Sequence, residues 1–351
     1  METEAASSPA PRQSPLVSII IVNYNGAELL SGCLSSLRQI SWSNREIIVV
    51  DNGSADNSRE VISSFPEVEL VPSAVNLGFA GGNNLGLKHA RGEYVLLLNN
   101  DTVVTSGFLN PLCSYLEANP NVGIVQGKMI LPRFGNRLDV CGSFLTSVGF
   151  PYHYGYYKPD GPKYNRAYAV FSGKGACLMF RRDLIDRVGG FLFDEGFFCY
   201  YEESDFCHRA WIAGYEVHFV SSPPIAHLMG ATSGDSHTEF VLRHYLRNMT
   251  FSLLANLSET SRVRILLPFF AMLITSTFAA GLRGRKGQFL AHWGALVHSF
   301  RCRDKIRERR KLVASIRKQS DQAIFAKVLR TPKPGYFFKT FTGKLSEYED
   351  D

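Results

Sequence analysis

The feature that most constrains this chain is a fourfold alternation, near its N-terminus, of short apolar runs with segments of helical periodicity. The apolar runs lie at residues 17–22, 46–50, 68–71 and 94–98, and they are typical of buried strands. The segments between them place apolar residues three or four positions apart, and the connections are short. Alternation of this kind is typical of a parallel sheet covered by helices. The sequence therefore predicts an α/β fold.

Polar residues follow three of these predicted strands, at the sheet edge where α/β proteins bind their ligands. The main ones are Asn23 and Tyr24 after the first strand, Asp51 and Gly53 after the second, and Asn100 and Asp101 after the fourth. Any one of these turns has an ordinary structural explanation, because Asn, Asp and Gly are good turn formers. All three together predict a ligand site at this edge.

A nicotinamide or flavin site is a weaker interpretation of the same strands. The dinucleotide motif requires G-x-G-x-x-G between the first strand and its helix, and only Gly26 is present there. The glycine-rich segment at 76–86 follows the third strand and has the wrong spacing. The phosphate-binding G-x-x-x-x-G-K-[ST] motif is also missing from the sequence.

The segments that carry these residues resemble, in their order, the family 2 glycosyltransferases with the GT-A fold. They are IIIVNYNG (19–26), VVDNGSADNS (49–58), NLGFAGGNNLG (76–86), LLLNNDTVV (96–104), SGKGACLMFRRDLIDRVGGF (172–191), FFCYYEESDFCHRAWIAGYEVHFV (197–220) and IAHLMGATSG (225–234). The second half is similar to the rhamnosyltransferase-like branch. The resemblance implies a mostly parallel central sheet in a GT-A domain at residues 15–250, after a disordered N-terminus at 1–14.

The resemblance also implies which residues bind a nucleotide-sugar donor. They are Asn23, Tyr24, Asp51, Gly53, Asn76, Gly78, Asn100, Asp101, Gly173 and Arg247. Asp51 would hold the nucleobase and ribose, with Tyr24 as a stacking surface. Gly173 would allow close approach beneath the sugar or form an ordinary turn, and Arg247 would reach the diphosphate or lie on a helix surface.

A divalent cation, Mg²⁺ or Mn²⁺, is the implied cofactor, because a nucleotide diphosphate is an anionic leaving group. The family's D-x-D motif reads Asn99-Asn100-Asp101 here, so only the last aspartate is kept. Asp101 and the downstream His227 are the implied metal ligands, since manganese accepts both carboxylate and imidazole. A lone histidine can also be a hydrogen-bonded structural residue.

Glu203 matches the position of the family's catalytic base, which would take the proton of the acceptor hydroxyl. The family usually has aspartate there, and the longer side chain leaves Glu202 as the alternative base. An acidic helix start is the structural alternative for this EESD segment. A glycoside hydrolase pair is disfavoured, because such a pair does not require the nucleotide-binding strand ends.

The C-terminal region, residues 251–351, is predicted to be helical and to associate with a membrane. It contains an uncharged segment at 265–282, an amphipathic one at 289–300 and a basic one at 301–318. Residues 281–320 carry a net charge of +10, while the rest of the chain carries −4. This arrangement favours a helix lying on an anionic leaflet over a single span at 265–282, and both over a buried core helix. Nucleic acid is the less favoured partner, because no recognised reading motif accompanies the basic residues.

The sequence and the resemblance together predict an inverting glycosyltransferase on the inner, cytoplasmic face of the cell membrane. The expected reaction transfers a sugar, most plausibly rhamnose from dTDP-rhamnose, to a hydroxyl of a lipid-linked or cell-surface glycan. No signal peptide is visible, and seven scattered cysteines without a C-x-x-C pair are typical of a reducing compartment. The alternatives are another nucleotide-diphosphate enzyme on a similar sheet and a non-catalytic glycan-assembly protein that keeps the fold.

Overall fold

The computed structural model describes residues 14–228, 235–342 and 347–348. Within them the strands are β1 (Val17–Asn23), β2 (Arg45–Asn52), β3 (Val68–Ser73), β4 (Tyr94–Leu98), β5 (Thr102–Val103), β6 (Val122–Gln126), β7 (Met129–Leu131), β8 (Arg137–Leu138), β9 (Ser143–Thr146), β10 (Pro151–His153), β11 (Tyr168–Ala169), β12 (Cys177–Arg181), β13 (Glu216–Phe219), β14 (Ile225–His227) and β15 (Leu329–Arg330). The helices are α1 (Ala27–Leu37), α2 (Ser58–Ser63), α3 (Gly78–Leu87), α4 (Leu109–Ala118), α5 (Leu184–Arg187), α6 (Glu202–Ile212), α7 (Asp235–Asn256), α8 (Glu259–Leu282), α9 (Lys286–Arg301), α10 (Arg303–Ile316), α11 (Asp321–Val328) and α12 (Pro334–Thr342), with short 3₁₀ helices at Pro132–Phe134, Pro162–Tyr164 and Glu195–Phe197. The predicted disordered N-terminus, apart from residue 14, and the end of the IAHLMGATSG segment lie outside the described residues.

The central sheet has the strand order β11-β13-β6-β12-β4-β1-β2-β3. The four strands predicted from the apolar runs are confirmed, and they pair in parallel as β4-β1-β2-β3. β12 is antiparallel to β4 and to β6, so it joins this parallel unit to the parallel β6–β13 pair. The sheet is therefore mixed, with its N-terminal half parallel.

Each face of this sheet is covered by its own hydrophobic core. Neighbouring residues along a strand separate into the two cores because strand side chains alternate between faces. One core contains Ile20, Val50 and Leu97, and the other contains Ile19, Val49 and Leu96. This two-sided burial explains why the strands are continuous apolar runs rather than alternating ones.

A smaller sheet lies at the carboxyl end of β4, with the strand order β5-β14-β7-β8. β14 pairs antiparallel with β5, and the register matches His227 with Thr102. The amide of Leu228 also donates a hydrogen bond to the carbonyl of Asp101, at 2.9 Å. This pairing brings together two segments that are far apart along the chain.

The C-terminal helices pack against the sheet domain rather than extending away from it. α7 contacts α6, α9 and α10, and α10 also contacts α6. After α11, β15 pairs in parallel with β9, matching Leu329 with Leu145. Among the described residues, Glu259–Leu282 is a helix long and apolar enough to cross a membrane, and a third of its most apolar stretch is buried within the protein.

Candidate active site

The centre of the site is a contact between Asp101 and His227 at the carboxyl end of the central sheet. Asp101 lies between β4 and β5, and His227 is the last residue of β14. Nε2 of His227 lies 3.3 Å from Oδ1 of Asp101. This Oδ1 atom is buried and has no hydrogen-bond partner among the residues that the structure describes. The two predicted metal ligands are thus neighbours.

Asp139 holds the other nitrogen of the His227 ring. Its Oδ2 atom lies 2.7 Å from Nδ1 of His227, and its carboxylate also accepts two 2.7 Å hydrogen bonds from Nζ of Lys174. Burial alone would raise the pKa of Asp139, but the charge of Lys174 and the bond with His227 lower it to about 2. A carboxylate at Nδ1 fixes the orientation of the ring and leaves Nε2 facing Asp101.

The charge of His227 follows from the same neighbours. Burial opposes protonation of the ring, but the contact with Asp101 and the bond to Asp139 outweigh it and raise the pKa of His227 above its ordinary value. Lys174 acts in the opposite direction. The His227 ring therefore lies between two carboxylates, with the positive charge of Lys174 nearby.

Lys174 connects this cluster to Glu203, in the first turn of α6. The next residue, Gly175, packs on the ring of Phe79, and a Cβ added to Gly175 would lie 3.8 Å from Cβ of Glu203. Burial raises the pKa of Glu203, and the positive charge of Lys174 opposes this rise. Asp101, His227, Asp139 and Lys174 therefore form one contact network, and Glu203 lies beside Gly175, the residue that follows Lys174.

Glu202 and Glu203 form an adjacent pair of acids whose Oε2 atoms are both buried, with no hydrogen-bond partner in the described parts of the chain. Burial, and then the charge of Glu203, raises the pKa of Glu202 well above its ordinary value. Two buried carboxyls this close do not both ionise readily. Burial therefore disfavours the charged form of both acids, most strongly that of Glu202, while the charge of Lys174 favours ionisation of Glu203.

The backbone in front of these glutamates is strained. Phe198, Tyr200 and Tyr201 have positive φ angles of 61°, 66° and 74°, a region in which residues other than glycine are uncommon. At Phe198 ψ is −62°, and the amide of Cys199 donates a 2.7 Å hydrogen bond to the carbonyl of Phe197. These values define the rare type of γ-turn, in which the central residue has a positive φ and the backbone is strained. Strain of this kind persists only where surrounding contacts enforce it.

Asn248, on α7, supplies those contacts. Its Nδ2 atom donates to the carbonyls of Phe197, Cys199 and Tyr200, at 3.0, 2.9 and 2.7 Å, and the residue is buried. The γ-turn is also covered by Gly78, at the start of α3. The Asn248 side chain and Gly78 therefore hold the segment that leads into Glu202 and Glu203.

Replacing Gly78 by alanine is expected to lower the free energy of unfolding by more than about 2 kcal/mol. Gly78 has a φ of +71°, and an added Cβ would lie 2.3 Å from the carbonyl oxygen of Phe198. Urea unfolding followed by circular dichroism would measure the loss. The matched control is Gly190→Ala, because Gly190 has a φ of +81° but nothing within 4 Å of the added Cβ. Equal losses for the two variants would show that the contact with Phe198 is unimportant.

The predicted nucleotide-binding residues at the ends of β1 and β4 are joined directly. Nδ2 of Asn100 donates a 2.7 Å hydrogen bond to Oδ1 of Asn23, and Nδ2 of Asn23 donates to the hydroxyl of Ser58 at 2.9 Å. A Cβ on Gly26 would come within 2.4 Å of the Asn100 amide. Tyr24 is 50% exposed beside them, so its ring is accessible to a ligand.

Asp51 and its neighbours form the adjacent part of this edge. Asp51 is fully buried, and its carboxylate accepts hydrogen bonds from the side chain of Arg59, at 2.5 Å, and from the amide of Ser54. Asn76 accepts hydrogen bonds from the Asn52 side chain and from the amide of Gly78. Gly53, with a φ of +80°, packs on the backbone of Val75. These residues lie together at the ends of β2 and β3.

Two other predicted binding residues have different contacts. Gly173 packs against Leu178 and Gln126, and a Cβ added there would lie 2.5 Å from a Leu178 methyl carbon. Arg247 donates hydrogen bonds to the carbonyls of Gly196 and Phe197, at 3.0 and 3.5 Å. Arg247 therefore binds the loop that leads to the γ-turn.

Asp139, Lys174 and Asn248 are central to this site and were not singled out from the sequence. Asp139 belongs to no motif, and it reaches His227 only because β7 and β8 pair next to β14. Lys174 had a visible signal, since it is a lone cation between two glycines before a buried strand. Asn248 lay in the same helical segment as Arg247 and resembled an ordinary helix residue.

Comparison with known proteins gives a family match for the N-terminal half. Residues 18–189 match the model of Glycosyl transferase family 2, a range that ends before Glu203 and His227. The low-salt glycan biosynthesis hexosyltransferase Agl10 of Haloferax volcanii is 30% identical over 203 residues, which are 55% of this chain and 61% of that protein. A poly-β-1,6-N-acetyl-D-glucosamine synthase of Staphylococcus epidermidis is 32% identical over 133 residues, 37% of this chain and 32% of that protein. The chain thus spans less than two thirds of each relative.

Two solved structures share the fold at low sequence identity. GalNAc-T7, solved with UDP, GalNAc and Mn²⁺, has a TM-score of 0.62 and 15% identity, covering 94% of this chain and 58% of that one. The mannosyltransferase PcManGT from Pyrobaculum calidifontis, solved with GDP-Man and Mn²⁺, has a TM-score of 0.55 and 17% identity, covering 97% and 87%. These likenesses confirm the predicted GT-A fold.

Proposed function

Residues 18–189 make this chain a member of glycosyl transferase family 2, and we propose that it transfers a sugar from a nucleotide diphosphate donor to a glycan hydroxyl with inversion. The observation that carries the proposal is the network of Asp101, His227, Asp139 and Lys174 at the carboxyl end of the sheet, with Glu203 beside the next residue, Gly175. A protein that kept only the fold would have no need to bury this many interacting charges beside a strained loop. The cluster therefore favours catalysis over a non-catalytic assembly role.

In the proposed reaction Glu203 is the base. In its ionised form, which the charge of Lys174 favours, its carboxylate would accept the proton of the acceptor hydroxyl as that oxygen attacks the anomeric carbon. The bond from that carbon to the diphosphate breaks in the same displacement, and the diphosphate leaves with the electron pair. Glu202, protonated in its enclosed position, would keep the local charge low. The strained loop held by Asn248 would set the position of both carboxyls.

A divalent cation fits the residues that are present. Asp101 offers a buried carboxylate oxygen without a hydrogen-bond partner in the described residues, and His227 offers Nε2 beside it. The described residues contain no group of three His, Cys, Asp or Glu side chains arranged to hold a metal ion, so donor oxygens and water would complete the coordination. When bound, Mg²⁺ or Mn²⁺ would stabilise the charge that develops on the diphosphate. Asp139 would keep the His227 ring oriented for this task.

The donor would lie across the ends of β1, β2 and β4. The Asn23–Asn100 pair and Asp51 would line the nucleoside side, and the exposed ring of Tyr24 would stack on the base. Asn76, Gly53 and Gly78 would shape the floor. We expect dTDP-rhamnose first, from the resemblance of the second half to the rhamnosyltransferase-like branch. The hexose and N-acetylhexosamine donors suggested by the relatives' names are the next candidates.

The proposed setting is the cytoplasmic face of a membrane. A GT-A domain at 15–250 would be followed by a helical membrane-associating region at 251–351, and the acceptor would be a lipid-linked or cell-surface glycan. The exposed apolar residues and arginines of the C-terminal helices support an anionic membrane surface as a partner rather than nucleic acid.

A donor panel tests the proposal. Purified protein would be incubated with dTDP-rhamnose and with UDP- and GDP-hexoses, with and without Mn²⁺, and the nucleotide product would be identified by mass. Release of an intact nucleoside diphosphate is expected with at least one donor. Release of pyrophosphate or a nucleoside monophosphate would indicate a different nucleotide-diphosphate enzyme. No turnover of any donor would contradict catalysis and favour the assembly role.

Replacing Asp101 by asparagine is expected to weaken Mn²⁺ affinity by about 10- to 100-fold, because the site loses its only proposed protein carboxylate ligand. Titration of Mn²⁺ in the presence of the nucleoside diphosphate, followed by electron paramagnetic resonance, would measure the affinity. Asp186→Asn is the control, because Asp186 is an exposed acid on α5 and is not part of the proposed site. Unchanged Mn²⁺ affinity in Asp101→Asn would remove Asp101 from the metal site.

A further inference from the structure

A large apolar groove lies among the C-terminal helices, outside the site described above. It has a volume of about 940 Å³ and lies between α7, α8, α9 and α10. Its apolar floor includes Leu254, Phe270, Trp293 and Ile306. Trp293 is 53% exposed, although tryptophan is a costly side chain to leave in water. The groove is therefore an apolar surface that is open to solvent.

The groove continues into an exposed apolar stripe along α8. The stripe consists of residues three or four positions apart, which places them on one side of the helix: Val263, Leu267, Phe270, Ile274, Phe278 and Leu282. All of them except the half-buried Phe270 are exposed, and Leu282 is 91% exposed. The opposite side of α8 packs inward through residues such as Phe269 and Leu273. One face of α8 packs into the core, and the other face is not covered by any of the described residues.

Arginines surround one end of the groove. They are Arg262, Arg303, Arg307 and Arg310. Glu259 contacts Arg262 and Arg310, at 3.3 and 3.5 Å, and Asp304 contacts Arg307 at 2.8 Å. Four cations thus face two acids, and Arg303 and Arg307 remain 72% and 70% exposed. The groove combines an apolar floor with an excess of positive charge at its rim.

We propose that this groove and the α8 stripe bind the surface of an anionic bilayer, with a phospholipid chain in the groove and its phosphate among the arginines. The inference specifies the partner surface of the function proposed above. A second copy of the chain fits poorly, because a self-complementary contact would place the arginine rims against each other. A globular partner would cover a compact patch, whereas the stripe runs the length of a 24-residue helix. A lipid leaflet offers both the long apolar contact and the phosphates.

The floor of the groove also reaches toward the candidate active site. Ile306 and Leu254 pack with Phe251 and Phe197, and Phe197 is the first residue of the strained γ-turn. A lipid in the groove would therefore contact the same apolar cluster as the loop that leads to Glu202 and Glu203. This arrangement would keep the catalytic edge close to the membrane surface, where a lipid-linked acceptor would be found.

Tryptophan fluorescence of the full chain tests the proposal without any sugar transfer. The chain has three tryptophans, and Trp42 and Trp211 lie in the sheet domain with their indole N–H groups bonded to the carbonyls of Pro15 and Val170. We expect phosphatidylcholine vesicles that contain phosphatidylglycerol to shift Trp293 emission to shorter wavelength. Vesicles brominated on the acyl chain should quench it, and Trp293→Phe should abolish both effects. Quenching that persists in Trp293→Phe, or no quenching in the unsubstituted chain, would overturn the proposal.

The arginine rim is tested by Arg303→Gln/Arg307→Gln, two exposed positions whose replacement leaves the core intact. Affinity for vesicles containing phosphatidylglycerol should fall on the order of 10- to 30-fold. The matched control is Lys88→Gln/Arg182→Gln, which removes the same charge from exposed positions in the sheet domain. Equal affinities of the two double variants would overturn the proposal. A change in Trp293 fluorescence with polyprenyl phosphate in detergent, but not with vesicles, would also overturn it. Failure of this test would leave the donor panel unaffected, so the two proposals can fail separately.

Discussion

Replacing Glu203 by glutamine is expected to lower the turnover number for sugar transfer by about 10²- to 10⁴-fold, the usual contribution of a positioned general base. Glutamine keeps the size of the side chain and removes only its ability to accept the proton. Donor affinity should change little, because Glu203 is not among the residues proposed to bind the donor or the metal. Initial rates at saturating donor, with the donor identified by the panel, would measure the loss.

Glu202→Gln is the matched control for this experiment. Glu202 is the neighbouring buried acid, and its raised pKa already favours the neutral form, so its replacement should cost much less activity. Equal activity of Glu203→Gln and the unsubstituted enzyme would reject Glu203 as the base, and a larger loss in Glu202→Gln would transfer that role to Glu202.

The pH dependence of the turnover number is a second test of Glu203 as the base. Because burial raises the pKa of Glu203 above 4.5 and the base must be ionised, activity should rise with pH through a pKa above that value.

Replacing Asp205 by asparagine is expected to lower the free energy of unfolding by about 3–5 kcal/mol, the cost of breaking a buried ion pair by removing one partner. Asp205 is buried in α6, two residues after Glu203. Its carboxylate lies 3.0 Å from Arg209 and 3.2 Å from Arg309 of α10. Asparagine would leave Arg209 without its paired carboxylate and Arg309 with Asp194 alone. Urea unfolding followed by circular dichroism would measure the loss.

The control for this prediction is Asp183→Asn, an exposed acid 3.6 Å from Arg187, which should cost less than about 1 kcal/mol.

The pH dependence of the free energy of unfolding tests whether the charge of Asp205 is responsible. Burial alone would raise the pKa of Asp205, but Arg209 and Arg309 lower it to about 2 from 3.8. The stability from its charge is therefore present above pH 4 and is lost as the pH falls through about 2. A difference between Asp205→Asn and the unsubstituted protein that stays constant from pH 5 to pH 2 would contradict this account.

The Asp205 network also explains how the C-terminal helices relate to the site. Arg309 of α10 bonds both to Asp205 and to Asp194, which caps the 3₁₀ helix before the γ-turn. The ring of Phe191 lies between the guanidinium groups of Arg209 and Arg309, with centroid distances of 4.1 and 4.4 Å. The basic tail, interpreted from the sequence as a membrane contact, thus also supplies an arginine that orders the helix carrying Glu203.

The strands and the sheet edge could be predicted from the sequence because each depends on local patterns. A run such as Val17–Val22 must be buried on both faces, and parallel strands then bring their carboxyl ends to one edge. That reasoning alone placed Asn23, Asp51 and Asp101 at this edge, where the structure has them. The order of the strands beyond β4, including the antiparallel insertion of β12, depends on contacts between distant segments and was not visible.

Local sequence patterns were enough to predict the α/β class, the sheet edge at which the polar strand-end residues gather, and the separation of a basic C-terminal region from an acidic remainder. The fold class and the sheet edge follow from patterns that extend over a few residues, and the charge separation follows from composition. Three contacts became visible only in the folded protein: Asp139 and Lys174 beside the His227–Asp101 contact, Asn248 on the strained turn before Glu203, and Arg309 at Asp205. Each of these depends on the pairing of segments tens of residues apart, and the charges of such residues acquire their roles only when folding buries them next to one another.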